Sequence, residues 1–120
     1  MTRHCILIIT ALLSSCTAKE EKSSILPFAS PGQSPSSEPY LFTAPSGKVF
    51  LSWIEQQDSI NFLKMAAWEG EGWSEPRLIT SGTNWFVNWA DYPMAISNDQ
   101  EKFIAHYLEK SADGTFTYDV

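Results

Sequence analysis

The 120-residue chain has little cysteine, histidine or arginine, with two of each. Cys5 and Cys16 both fall within the first sixteen residues, so the remainder has no thiol for a disulfide, a nucleophile or a soft metal ligand. His106 is the sole histidine beyond that region, and no pair of ligands stands at zinc spacing, so neither a metal site nor a cofactor is expected. Basic residues are also scarce. Eight Lys and Arg face 14 Asp and Glu, a formal net charge of -6, which argues against nucleic acid as the main partner. No apolar run approaches the roughly 20 residues that a membrane-spanning helix needs. A glycine loop for phosphate and a nucleophile elbow are both missing.

Aromatic residues, in contrast, are abundant. Seven Phe, five Trp and four Tyr all lie beyond Pro27, which suggests a β-rich core or a face built for stacking.

The amino terminus carries the most specific pattern. Arg3 and His4 precede the apolar run Cys5-Ile6-Leu7-Ile8-Ile9-Thr10-Ala11-Leu12-Leu13, followed by small residues, as in an export signal. Leu13-Ser14-Ser15-Cys16 resembles the lipobox of bacterial lipoproteins, with an aliphatic residue, two small residues and the cysteine that is acylated. The resemblance implies removal of residues 1–15, lipidation of Cys16 as the new first residue, and, with Thr17 following, sorting to the outer membrane. The implied partner is thus a membrane, engaged through several acyl chains, because one chain alone binds only marginally. Cys5 would leave with the signal, and the mature chain would carry seven bases against 14 acids.

Residues 16–37 read as the lipidated cysteine and a tether rich in Ser, Pro, Lys and Glu. Ile25-Leu26-Pro27-Phe28 interrupts it with an apolar patch that either docks on the domain or pairs as a strand.

From Glu38 the chain repeats with a period of 54 residues. Aligning Pro39 with Pro93 without gaps pairs Lys48 with Lys102, Val49 with Phe103, Phe50 with Ile104, Ser52 with His106, Trp53 with Tyr107, Ile54 with Leu108, Glu55 with Glu109 and Phe62 with Phe116. Each copy runs as Pro and a short strand, a polar turn, Lys and an apolar strand ending in Glu, a second turn, and a further strand. Short strands repeating at about 40 to 50 residues point to propeller blades. In the first copy the strands are expected at Tyr40-Ala44, Lys48-Glu55, Ser59-Trp68 and Arg77-Thr80, with glycine turns at Pro45-Ser46-Gly47 and Gly70-Glu71-Gly72. Val49-Ile54 is apolar on both faces, as a strand between two neighbouring layers should be.

Ala66-Ala67-Trp68-Glu69-Gly70-Glu71-Gly72-Trp73 resembles the aspartate box of the sialidase superfamily, matching at Gly70 and Trp73 and lacking the Ser, Asp and Thr. Ser74-Glu75-Pro76 is similar to the continuation common in such blades. The resemblance implies an all-β fold of four-stranded antiparallel blades, six-bladed when complete, with residues 38–120 forming the first two blades and the second incomplete. The further blades of the same chain would then be a partner that the domain requires. Self-completion by oligomerisation is the competing expectation.

The crossover Asn84-Trp85-Phe86-Val87-Asn88-Trp89-Ala90-Asp91-Tyr92-Pro93 gathers aromatic rings, amides and one carboxylate. Such a set suits a sugar, whose C–H face stacks on rings while its hydroxyls bond amides and carboxylates. The candidate binding residues are Trp85, Asn88, Trp89 and Tyr92, and Asp91 is the candidate general acid. Trp85 and Trp89 filling the gap between blades is the structural alternative. An Asp91 acid also needs a second group to work with. Sialidases hold the substrate carboxylate through arginines, and Ser37-Glu38-Pro39 stands where their first arginine motif would be, which speaks against true sialidase activity. The functional expectation is a membrane-anchored glycan-binding or glycan-cleaving propeller protein, with a protein-interaction platform as the alternative.

Overall fold

The structure, a computed structural model, describes residues 24–98, 102–112 and 118–119. The signal, Cys16 and Phe116 lie outside the described residues. Every described element is a β-strand: β1 (Ser36–Thr43), β2 (Val49–Gln57), β3 (Ile60–Ala67), β4 (Arg77–Gly82), β5 (Trp85–Phe86), β6 (Met94–Ser97), β7 (Phe103–His106), β8 (Leu108–Lys110) and β9 (Tyr118–Asp119). The fold is all-β.

The first four strands form one antiparallel sheet in the order β1-β2-β3-β4. All four expected strands are present, and β1 begins at Ser36, four residues before the expected Tyr40. The turns explain the meander. Gly47 takes φ 88 in the first turn, where its amide donates to the Ala44 carbonyl at 2.9 Å. Gln57 faces Ile60 across a two-residue turn in which Asp58 takes φ 54, a left-handed value that Asp tolerates better than most residues. Between β3 and β4, Trp68 bridges Trp73, the Glu69 amide donates to the Gly72 carbonyl at 2.8 Å, and Gly70 adopts φ 99. The segment resembling an aspartate box therefore occupies the turn between third and fourth strands.

Alternation along β2 puts Phe50, Ser52 and Ile54 on one face and Leu51, Trp53 and Glu55 on the other. Phe50, Leu63, Met65 and Ala67 bury the first face against Trp85 and Ala95, with Phe103, Ala105 and Tyr107 packed alongside. Full burial of a side chain the size of Phe50, Leu63 or Met65 is worth about 1.5–3 kcal/mol. The other face is crossed by the segment before β1. Phe28 meets Trp68 edge-on at 4.8 Å, Gly32 lies against the Trp53 indole, and the Gln56 amide donates to the Pro35 carbonyl at 3.3 Å. The apolar patch of the expected tether therefore docks through Phe28, while Ile25 and Leu26 remain exposed.

The second unit repeats the first. The β1–β2 pairs Tyr40↔Ser52, Leu41↔Leu51, Phe42↔Phe50 and Thr43↔Val49 recur in β6–β7 as Met94↔His106, Ala95↔Ala105, Ile96↔Ile104 and Ser97↔Phe103, every number raised by 54. The turn bond repeats too, with Ala44 N–H to Lys48 O at 2.9 Å matched by Asn98 N–H to Lys102 O at 3.3 Å. The gapless alignment fails at two places. Between Phe86 opposite Leu108 and Met94 opposite His106, the first strand advances eight residues while the second advances two. In unit one the same place is a bulge between Ser37 and Tyr40. Beyond β8, Asp119 rather than Phe116 stands opposite Glu109, so the second hairpin is longer than its counterpart, in which Phe62 faces Glu55. Among the described residues three open sheets result, one of four strands, one ordered β5-β8-β9 and one pairing β6 with β7.

Candidate functional site

The segment 84–93 is more than a crossover. Trp85 and Phe86 form β5 and pair with β8, which pulls both side chains into the interior. Trp85 is 4% exposed and its ring lies 5.1 Å from that of Tyr107. Its ring is packed into the core beside unit two and is not free to stack on a ligand.

Residues 87–93 then bulge out as a loop. Asn88 holds it from inside. Its side-chain oxygen accepts the Ala90 and Asp91 amides at 2.7 and 2.8 Å, and its own amide donates to the Asp91 carbonyl at 2.9 Å. An Asn accepting from the amides two and three residues on is a turn-forming device. The Asp91 carboxylate receives the Asn88 side-chain amide at 3.5 Å, a long contact that closes the same loop. Asn88 and Asp91 thus serve each other. Among the described residues, no group of three or more His, Cys, Asp or Glu comes together to hold a metal. Pro93 is fully buried where the loop rejoins the sheet. Trp89 is left at the loop tip, 89% exposed, with Tyr92 half-buried beside the loop's end.

The meander brings a second set of residues to this end. The β2–β3 turn and the entry to β5 share it, and between them lies an open cleft of about 1100 Å3. Ser37, Gln56, Ser59, Asn61, Asn84 and Lys110 supply its polar lining, over a floor of Ile54, Trp85 and Phe86. The Asn84 side chain donates to the Lys110 carbonyl at 2.7 Å, fixing one wall. The hydroxyls and amides of the β2–β3 turn carry no motif. Their one legible signal is topological, since a four-stranded meander puts the second turn and the outgoing crossover at the same end.

Elsewhere the conspicuous side chains have structural work. Arg77 lies 4.6 Å above the Phe103 ring, beside a second cavity of about 250 Å3 at the opposite end. Glu55 accepts from the Trp53 indole and the Gln33 amide, each at 2.9 Å, and pairs with Lys64 at 2.5 Å. Burial pushes the Glu55 carboxyl up, and the bonds from Gln33, Lys64 and Trp53 more than offset this, holding it below the ordinary glutamate value. Its counterpart Glu109 is exposed on β8, and His106 is exposed on β7.

No helix among the described residues is long and apolar enough to cross a membrane. No known protein family, curated protein or solved structure matches the chain.

Proposed function

We propose that the chain is a lipid-anchored cell-surface protein that binds neutral glycans on a propeller-type scaffold. The observation that carries this reading is Trp89, an indole 89% exposed at the tip of a loop whose shape Asn88 and Asp91 set. A large aromatic ring held in water by a fixed loop is an unspent stacking surface, and a pyranose C–H face is what such a ring takes up. The neighbouring hydroxyl- and amide-lined cleft supports the choice of a polyhydroxylated, mostly uncharged ligand, since among the described residues Lys110 is the one charged residue in its lining. Binding is favoured over hydrolysis because Asp91 is engaged in its own loop. Anchoring rests on the lipobox-like Leu13-Ser14-Ser15-Cys16.

A glycan array read with the full-length protein and its Trp89→Ala variant tests binding. A loss of about five- to tenfold at unchanged stability is expected, in line with about 1–1.5 kcal/mol for a ring contact. Equal binding by both proteins removes Trp89 from any site. Cys16→Ser tests anchoring separately: the variant should leave the membrane fraction, and unchanged fractionation overturns the lipid anchor.

A further inference from the structure

Among the described residues, the two units pack so that each end of the pair keeps an apolar face, the two faces being complementary. In unit one, Tyr40, Phe42, Phe50 and Ser52 face unit two; their equivalents in unit two, Met94, Ile96, Ile104 and His106, share the opposite face of that unit, Met94 and Ile96 half-buried and Ile104 and His106 exposed. Burial follows. Ser52 is 1% exposed beneath unit two, whereas Ile104, where unit one has the buried Phe50, is 67% exposed. At the other end, Ala95 of unit two is 1% exposed against unit one, while its equivalent Leu41 is 63% exposed. The contact has a defined form: β6 crosses over β2, and the Ala95 amide donates 3.2 Å to the Ser52 hydroxyl. The strap 28–35 covers unit one's outer face at Trp53 and Trp68, leaving Leu41 open on β1, with Val49 and Leu51 half-buried behind it.

We propose that the chain associates head to tail with a second copy of itself, the outer face of β6–β7 (Met94, Ile96, Ile104) receiving the outer face of β1–β2 (Leu41, Val49, Leu51) of the next copy. The argument is continuity with the interface inside the chain. The repeat equivalents of these two faces already meet once between units one and two, and the strand pairing that builds each face recurs in both units. A contact between two different surfaces repeats, closing into a ring or continuing as a stack, because each added copy presents a new free face. This inference stands on the repeat geometry and is independent of glycan binding.

The test uses the full chain carrying Cys16→Ser, followed by sedimentation equilibrium from about 1 μM to about 1 mM, a range that spans weak association. Leu41→Glu and Ile104→Glu are made separately on this background; both positions are exposed, so circular dichroism melts should match the parent. The parent should associate beyond a dimer as concentration rises. Each single variant should associate at least about tenfold more weakly, because docking would bury an unpaired carboxylate. An equimolar mixture of the two variants should form a two-chain complex and stop there, since one intact face of each kind remains. A parent that stays monomeric (the outcome if further repeats of the same chain occupy these faces), single variants that associate like the parent, or a mixture that stays monomeric would each overturn the proposal.

Discussion

At the scale of single residues, the most informative side chains are those whose surroundings contradict their type. Glu55 is a carboxylate largely withdrawn from water, yet its environment favours the charged form. Its folded pKa lies below the ordinary value of 4.5, so its contribution is present in full above that value and is lost as pH falls through the folded pKa. Glu55→Gln should therefore lower neutral-pH stability by about 1–2 kcal/mol, the cost of a charge-assisted bond network. The difference from the parent should shrink progressively below pH 4.5. Urea melts of both proteins at pH 7 and pH 3 measure this, and a gap that persists undiminished at acid pH contradicts it. Trp85 and Trp89, four apart and alike in sequence, divide by burial, at 4% and 89% exposed. Trp85→Ala should cost about 3–5 kcal/mol, as for large core aromatics, and Trp89→Ala less than about 0.5 kcal/mol. Comparable melting shifts for the two would mean that the loop is packed in solution.

At the scale of elements, turns and bulges decide where the strands lead. The β3–β4 turn keeps Gly70 at φ 99, where a side chain strains the backbone, although open space surrounds it. Gly70→Ala should cost about 1 kcal/mol through backbone strain alone. Gly72→Ala in the same turn, with no positive φ and nothing nearby, should be close to neutral. Thermal melts of the pair separate conformation from packing as the cause, and equal effects would count against it. The strands of unit one were legible because each is a run of apolar and β-branched residues bounded by Gly, Pro or Asp, signals that reside in the strand itself. The bulge at 87–93 was not. Whether Trp85-Phe86 is loop or strand depends on Leu108 and Glu109 lying alongside, a pairing more than twenty residues away that no local pattern encodes. Asn88 read as a ligand amide for the same reason. An Asn beside Trp and Asp suits a sugar or a turn equally well until the loop's path is known. The strap was left open by composition, and the Phe28–Trp68 and Gln33–Glu55 contacts are what dock it.

At the scale of the whole molecule, the question is what holds the second unit in place. β6 and β7 form a two-stranded sheet, and an isolated hairpin of this kind is marginal in water. Its stability is therefore borrowed from the sheet beneath it, through Ala95, Phe103 and Ala105 on the core and through the hydrogen bond from the Ala95 amide to the Ser52 hydroxyl. Removing that hydroxyl leaves the Ala95 amide buried and unpaired, which costs about 1–3 kcal/mol. The cost falls on docking, because the β1–β4 ladder does not use the Ser52 side chain. Ser52→Ala should therefore speed hydrogen exchange at amides of β6 and β7 by about tenfold or more, while amides of β2 and β3 around Leu63 exchange as in the parent. Uniform acceleration across both units would mean that the chain opens as a single cooperative body. Acceleration confined to the hairpin would mean that each unit is stabilised by the face it rests on, as in a repeat array whose stability is the sum of its units and their contacts.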